Sequence, residues 1–191
     1  MRSYVGRGVG AHFLNELLMS ERYVYVASRW ISPEYAERLV KLGSEGVEVK
    51  VITSDDKEKH HQEALKILRN ALKPPRCFLF RKSDWVPPNM ELGVIRERYL
   101  HVKLYVFDDK FAVVGSANLT ESGMWNNIEH IVIFDNPEEI QTIRSDFLKL
   151  WKLYTESKET AVEVTTLEDI AKSIGKTVKE LASLLSRLRK K

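Results

Sequence analysis

The 191-residue sequence holds a single cysteine, Cys77, which excludes an intramolecular disulfide and any cysteine-cluster metal site. A lone thiol suits a reducing compartment, so the cytoplasm is the expected setting. Long apolar runs are missing too. The longest, Tyr23–Ala27, has five residues, against the ~20 that a membrane-crossing helix needs. The chain has no basic-then-apolar start with a small-residue cleavage site, so no signal peptide is expected. There is no internal repeat or low-complexity tract. Only two glutamines accompany 30% charged residues, a weak sign of a heat-adapted source. Hydrophobic residues make up 43% of the chain, which is enough for a core and excludes disordered and collagen-like classes.

The net charge of +3 is unevenly placed. Residues 165–191 carry seven Lys or Arg against three Asp or Glu, which leaves residues 1–164 at −1. Such a tail meets an anionic partner or is a solvated helix face.

Tyr23–Ile31 is β-branched and aromatic and reads as a strand. Ser32-Pro33-Glu34 then starts a helix that Gly43 and Gly46 end. Val47–Ile52 is the next strand, so the pair is parallel with a right-handed crossover. A second helix spans Lys57–Leu72 and stops before Pro74-Pro75. Cys77–Phe80 reads as a short strand, and residues 81–98 as a long surface connection. Strands follow at Leu100–Phe107, Phe111–Val114 and Ile128–Phe134. Asn136-Pro137 then caps an amphipathic helix bearing Ile140, Ile143, Phe147, Leu150, Trp151 and Tyr154. The expected fold is α/β, a mixed β-sheet flanked by helices on both faces, over residues 1–155. Residues 156–164 read as a linker and residues 165–191 as a small C-terminal helical hairpin. Its second helix opens with the capping box Thr177–Glu180.

The segment richest in chemistry is His101-Val102-Lys103, with Asp108 beyond it, then Gly115-Ser116-Ala117-Asn118 and Glu129. Alternation along a strand puts His101 and Lys103 on one face. An imidazole beside an ammonium suits a phosphate group: a nucleophile or proton carrier next to a fixed positive charge. Ser116 and Asn118 offer a hydroxyl and an amide for oxyanion contacts. A carboxylate at Glu129 is suited to accept the imidazole Nδ1–H, leaving Nε2 free to attack phosphorus.

The spacing H-x-K-x4-D-x6-G-S-x-N, followed by Asn126-Asn127-Ile128-Glu129, resembles the signature of the phospholipase D superfamily. The resemblance spans roughly residues 20–154. It implies two such motifs facing across a two-fold axis. One histidine forms a phosphohistidine, the other protonates the leaving oxygen, and water releases the product without a metal or other cofactor. Carried over by position, His101 is nucleophile or general acid. Lys103, Ser116 and Asn118 hold phosphate, Glu129 orients His101, and Asp108 is the motif aspartate with a more structural role. His12, His60, His61 and His130 have no Lys or Arg two residues on, so the chain carries one motif. A half-site cannot perform the two-histidine reaction, and a homodimer is expected.

Single-motif members of this superfamily are mostly nucleases. The expected activity is therefore a nucleic-acid endonuclease, with DNA preferred over RNA as partner and no membrane. The alternatives are a phospholipase or phosphatidyltransferase, and a non-catalytic DNA-binding regulator on the same fold. Arg81, Lys82, Arg96 and Arg98 either contact nucleic-acid phosphates or are solvated charge. Trp85 and Trp125 either stack on bases or pack. Adjacent His60 and His61 point about 100° apart, a poor metal pair, and read as surface residues. In the tail, Lys176, Lys179 and Arg187 belong to a helix-turn-helix-like segment that binds DNA or packs on the body or the dimer partner.

Overall fold

The β-branched and aromatic runs pair into one sheet in a computed structural model that describes residues 1–74, 85–96, 98–155 and 157–160. The strands are β1 (Arg2–Gly6), β2 (Tyr23–Ala27), β3 (Glu48–Ser54), β4 (Met90–Ile95), β5 (Leu104–Phe107), β6 (Phe111–Gly115), β7 (Glu129–Phe134) and β8 (Ser157–Thr160). They lie in the order β1-β7-β6-β5-β2-β3-β4-β8. Pairs β2/β3 and β3/β4 are parallel, and the other neighbours are antiparallel. Strand β2 is the hinge of this mixed pattern. It runs parallel to β3 on one side and antiparallel to β5 on the other, with Ala27 opposite Leu104.

Helices cover both faces. α2 (Pro33–Ser44) and α3 (Lys59–Ala71) place Leu39, Leu65 and Leu68 in one apolar cluster, joined by Phe13 and by α1 (Leu14–Leu18) through Leu14 and Leu17. α4 (Pro137–Leu153) brings Ile140, Ile143, Phe147 and Trp151 to the second cluster on the opposite face. These four recur every three or four residues, as a single buried helix face requires. Truncating the fully buried Phe147 to alanine is expected to cost about 3–5 kcal/mol. Among the described residues no helix is long and apolar enough to cross a membrane.

Four features differ from the sequence reading. First, the surface connection expected over 81–98 contains β4, whose Leu92 and Val94 are fully buried. Pairing with β3 makes a strand of residues whose flanking prolines and arginines spoke for a loop. Second, residues 157–160 of the expected linker form β8 along the edge of β4. Third, β2 stops at Ala27 and β5 begins only at Leu104, so His101–Lys103 lead into the strand instead of lying within it. Fourth, Ser32 flanks α2 but makes no side-chain cap there, because its Oγ accepts the Glu121 N–H at 3.1 Å instead. The strand at Cys77–Phe80, the arginine and lysine at 81 and 82, and the whole hairpin with Lys176, Lys179 and Arg187 lie outside the described residues.

Candidate active site

The residues of the motif meet where the C-terminal end of β2 abuts the N-terminal end of β5. His101 is exposed, whereas Lys103 is buried, with only 4% of its surface accessible. The Lys103 ammonium donates to the His101 carbonyl oxygen at 3.0 Å. Burial pushes the Lys103 pKa down, the nearby Glu129 carboxylate works against this, and the Arg29 guanidinium adds to it. A desolvated cation of this kind is poised for an anion, whose arrival replaces the hydration that folding removed.

Gly115 ends β6 at a place where no side chain fits. A Cβ there would press on the His130 carbonyl oxygen and lie 2.8 Å from Ile131 Cα. The close approach sets Ser116 against β7. Its N–H donates to the His130 carbonyl at 3.0 Å, and its Oγ accepts the His130 N–H at 3.0 Å. The Ser116 hydroxyl donates to Glu129, and Asn127 Nδ2 donates to the same carboxylate at 3.2 Å. Glu129 is therefore held by Ser116 and Asn127, not by His101, whose ring has no hydrogen-bond partner among the described residues. Ser116 correspondingly has its one hydroxyl proton turned to Glu129 rather than to an oxyanion position. Asn118 is half-buried in the same loop. Tyr105 supports that loop from beneath, its hydroxyl donating to the Ala117 carbonyl at 2.7 Å.

Asp108 stands apart. It follows β5, five residues and about 16 Å of extended chain beyond Lys103. It has a left-handed backbone (φ 52°) and its buried carboxylate accepts the N–H groups of Glu21, Arg22 and Tyr23 at 2.9–3.1 Å. In that geometry Asp108 clamps the start of β2, in keeping with the structural role expected of the motif aspartate.

The remaining histidines are engaged elsewhere. His12 stacks on Tyr4 with ring centroids 3.7 Å apart, and His130 Nε2 shares a 2.8 Å hydrogen bond with Ser3 Oγ. His60 is exposed on α3 near Glu63. His61, expected on the surface, is fully buried, because the first turn of α3 tucks against the residues after β2. Trp125 is 44% exposed.

Residues that sequence reasoning missed follow the parallel strands β2 and β3 at their C-terminal ends, the usual ligand-facing end of such strands. Arg29 pairs with Asp56 at 2.7 Å, and its guanidinium lies 4.7 Å from the ring centroids of both Trp30 and Tyr99. It lines a cleft of about 470 Å³ together with Asp55, Lys57, Arg96, Arg98 and Tyr99. Arg96 pairs there with Asp55 at 3.2 Å. In sequence, Arg98 and Tyr99 of the cleft wall precede His101 by three and two residues. Among the described residues no cluster of three or more His, Cys, Asp or Glu side chains is arranged to hold a metal ion.

Comparison with known proteins gives this geometry a setting. The mitochondrial cardiolipin hydrolase of Canis lupus familiaris is 28% identical over 130 residues, covering 68% of this chain and 44% of that protein. Cardiolipin synthase B of Shigella flexneri is 28% identical over 137 residues, covering 71% of this chain and 30% of that one. The chain thus spans less than half the length of these curated relatives. Among solved structures, NucT from Helicobacter pylori superposes with a TM-score of 0.62 at 18% identity, covering 81% of this chain and 96% of that one. The phospholipase D family member Nuc from Salmonella typhimurium gives 0.61 at 16% identity, covering 80% and 95%. TrmBL2, an archaeal chromatin protein, gives 0.53 at 13% identity, covering 82% and 54%. The family described as cardiolipin synthase, PLD-like domain, matches residues 13–151, from the turn before α1 to the buried Trp151 of α4, and the chain belongs to that family, within the phospholipase D superfamily.

Proposed function

We propose that this chain is a metal-independent phosphodiesterase that cuts nucleic acid, DNA in preference to RNA, as a homodimer. The observation that carries the reading is a half-site: His101, exposed and without a hydrogen-bond partner among the described residues, beside the buried cation Lys103, while His12, His61 and His130 are engaged elsewhere and His60 stands on the exposed face of α3. A two-histidine displacement then takes its second imidazole from another copy. Trp125 and Ile128, 44% and 75% exposed on the approach to Glu129, give such a pairing apolar area to bury.

In the proposed cycle, Nε2 of one His101 attacks phosphorus and forms a P–N bond as the P–O bond to the leaving group breaks. His101 of the other copy gives its proton to the departing oxygen. Water then attacks the phosphohistidine, passes a proton to that second imidazole, and frees the first. Lys103 and Asn118 stabilise the equatorial oxygens, whose charge rises in the transition state. Glu129, held by Ser116 and Asn127, is the acceptor for a catalytic Nδ1–H. The cationic cleft beside His101 suits the phosphates that flank a scissile bond.

Nucleic acid is supported by the four cations that line one cleft, Arg29, Lys57, Arg96 and Arg98, since a run of phosphates suits such a lining. The lipid reading has its own support, because those cardiolipin proteins are similar in sequence. A DNA-binding role without catalysis would not need the His101–Lys103 pair that this chain carries. The test incubates purified protein in EDTA with plasmid, single-stranded DNA, RNA and cardiolipin vesicles. Cleavage of nucleic acid that disappears in His101→Ala is expected. Turnover of vesicles alone, or activity only with added divalent metal, overturns the proposal.

A further inference from the structure

The reaction above gives no role to the buried imidazole of His61, yet hydrogen bonds connect it to the phosphate loop. The Ile31 N–H donates to His61 Nδ1 at 3.1 Å. The ring proton therefore sits on Nε2, which donates to the Ser54 carbonyl at 2.7 Å. One ring thus ties the segment after β2 to the end of β3. From there the segment reaches the loop: Ile31 bridges Leu119 in parallel, and Ser32 N–H donates to the Leu119 carbonyl at 3.0 Å. Leu119 N–H donates to Ser28 Oγ at 2.9 Å, and Glu121 N–H to Ser32 Oγ at 3.1 Å. Residues 28–32 therefore frame residues 119–121, and Asn118 adjoins that frame.

The frame leaves Asn118 available. Ser28 has one hydroxyl proton and two acceptors in reach, the Trp30 carbonyl at 2.7 Å and Asn118 Oδ1 at 3.5 Å. The shorter bond takes the proton, so the Asn118 amide is located by its backbone rather than held by a strong side-chain bond. Its backbone is itself confined, since a Cβ on Gly123 would meet Asn118 N at 3.0 Å.

We propose that His61 is a positioning residue for the Ser116–Asn118 loop, acting through Ile31 and Leu119. Loss of the Nδ1 acceptor leaves a buried Ile31 N–H unpaired and frees the segment that sets Leu119. A displacement on the order of 1 Å at the loop lowers the rate about 100-fold. The rate readout rests on the phosphodiesterase reading, but the structural readout does not.

Two isosteres separate the two bonds of the ring. Asparagine offers an acceptor near the Nδ1 position and keeps the bond to Ile31. Glutamine reaches toward the Nε2 position with a donor and keeps the bond to Ser54. His61→Gln is expected to lower kcat about 100-fold with KM changed less than about threefold, while His61→Asn retains most of kcat despite a similar fall in Tm. Amide hydrogen exchange at Leu119 and Glu121 should accelerate in His61→Gln and stay slow in His61→Asn. Equal losses of kcat in the two variants, or unchanged exchange at Leu119 and Glu121 in His61→Gln, overturn the inference. If the wild-type protein cleaves no diester, the proposed function fails and the exchange comparison alone decides the role of His61.

Discussion

The two ends of the β2–β5 pair are built on opposite plans. At the Asp108 end both aspartates are fully engaged. Asp108 accepts three backbone N–H groups, and Asp109 accepts from Arg22, Tyr23 and Gln141 at 2.6–2.7 Å. At the other end, among the described residues, the buried Lys103 ammonium has only a carbonyl as acceptor and the exposed His101 ring has no hydrogen-bond partner. The first end spends its polar groups on holding strands together. The second withholds them, and a withheld, desolvated cation is a group waiting for an anion. The same sheet thus separates stability from chemistry by the length of one strand.

Substitutions at each end should expose the difference, beginning with the greatest effect. His101→Ala should reduce turnover by about 10³-fold or more and leave Tm unchanged, which calorimetry beside the cleavage assay will show. Lys103→Met should reduce turnover by about 10²–10³-fold without lowering Tm. Burial holds the Lys103 pKa below its ordinary 10.5. Between the lowered value and 10.5 the unfolded chain binds more protons than the folded one, so wild-type stability gains from Lys103 as pH rises through that window. The gain should vanish in Lys103→Met, and denaturant melts across alkaline pH measure it.

Asp108→Ala should do the reverse, costing stability of about 3 kcal/mol while turnover per folded molecule stays within about twofold of wild type. A turnover loss at Asp108 that matched Lys103 would erase the contrast between the ends. The smallest effect belongs to Asp109→Asn. Hydrogen bonds from Tyr23 and Arg22 hold the Asp109 carboxyl below its ordinary value of 3.8. Its contribution is present above that value and is lost as pH falls through the lowered one. The variant should therefore show a flatter acid limb of Tm against pH, and little change at neutrality.

The legible parts of the sequence were those with a local cause. Continuous β-branched and aromatic strands, the Asn136 cap with Pro137 at the first turn, and the spacing of Ile140, Ile143, Phe147 and Trp151 each follow from geometry within a few residues. β4 was hidden because its burial comes from pairing with β3, roughly 40 residues earlier in the chain, and not from its own pattern of Gly93 among polar flanks. His61 was hidden for a similar reason. A histidine beside another on a polar helix start looks solvated until Ile31 and Ser54 close over it. Sequence could equally not assign the partner of Glu129, since Ser116 reaches that carboxylate only because Gly115 lets β6 and β7 close together.

By itself, then, the sequence determined the α/β class and the set of candidate groups, His101, Lys103, Ser116, Asn118 and Glu129. Their types and spacings are written in the chain, and strand alternation needs no long-range information. Only the tertiary structure decided which of them are buried, which are already bonded, and what holds the loop beneath them. Desolvation of Lys103, the turning of Ser116 to Glu129 and the bracing of Leu119 from His61 all arise between segments far apart in sequence, where pairing geometry rather than residue type sets the chemistry.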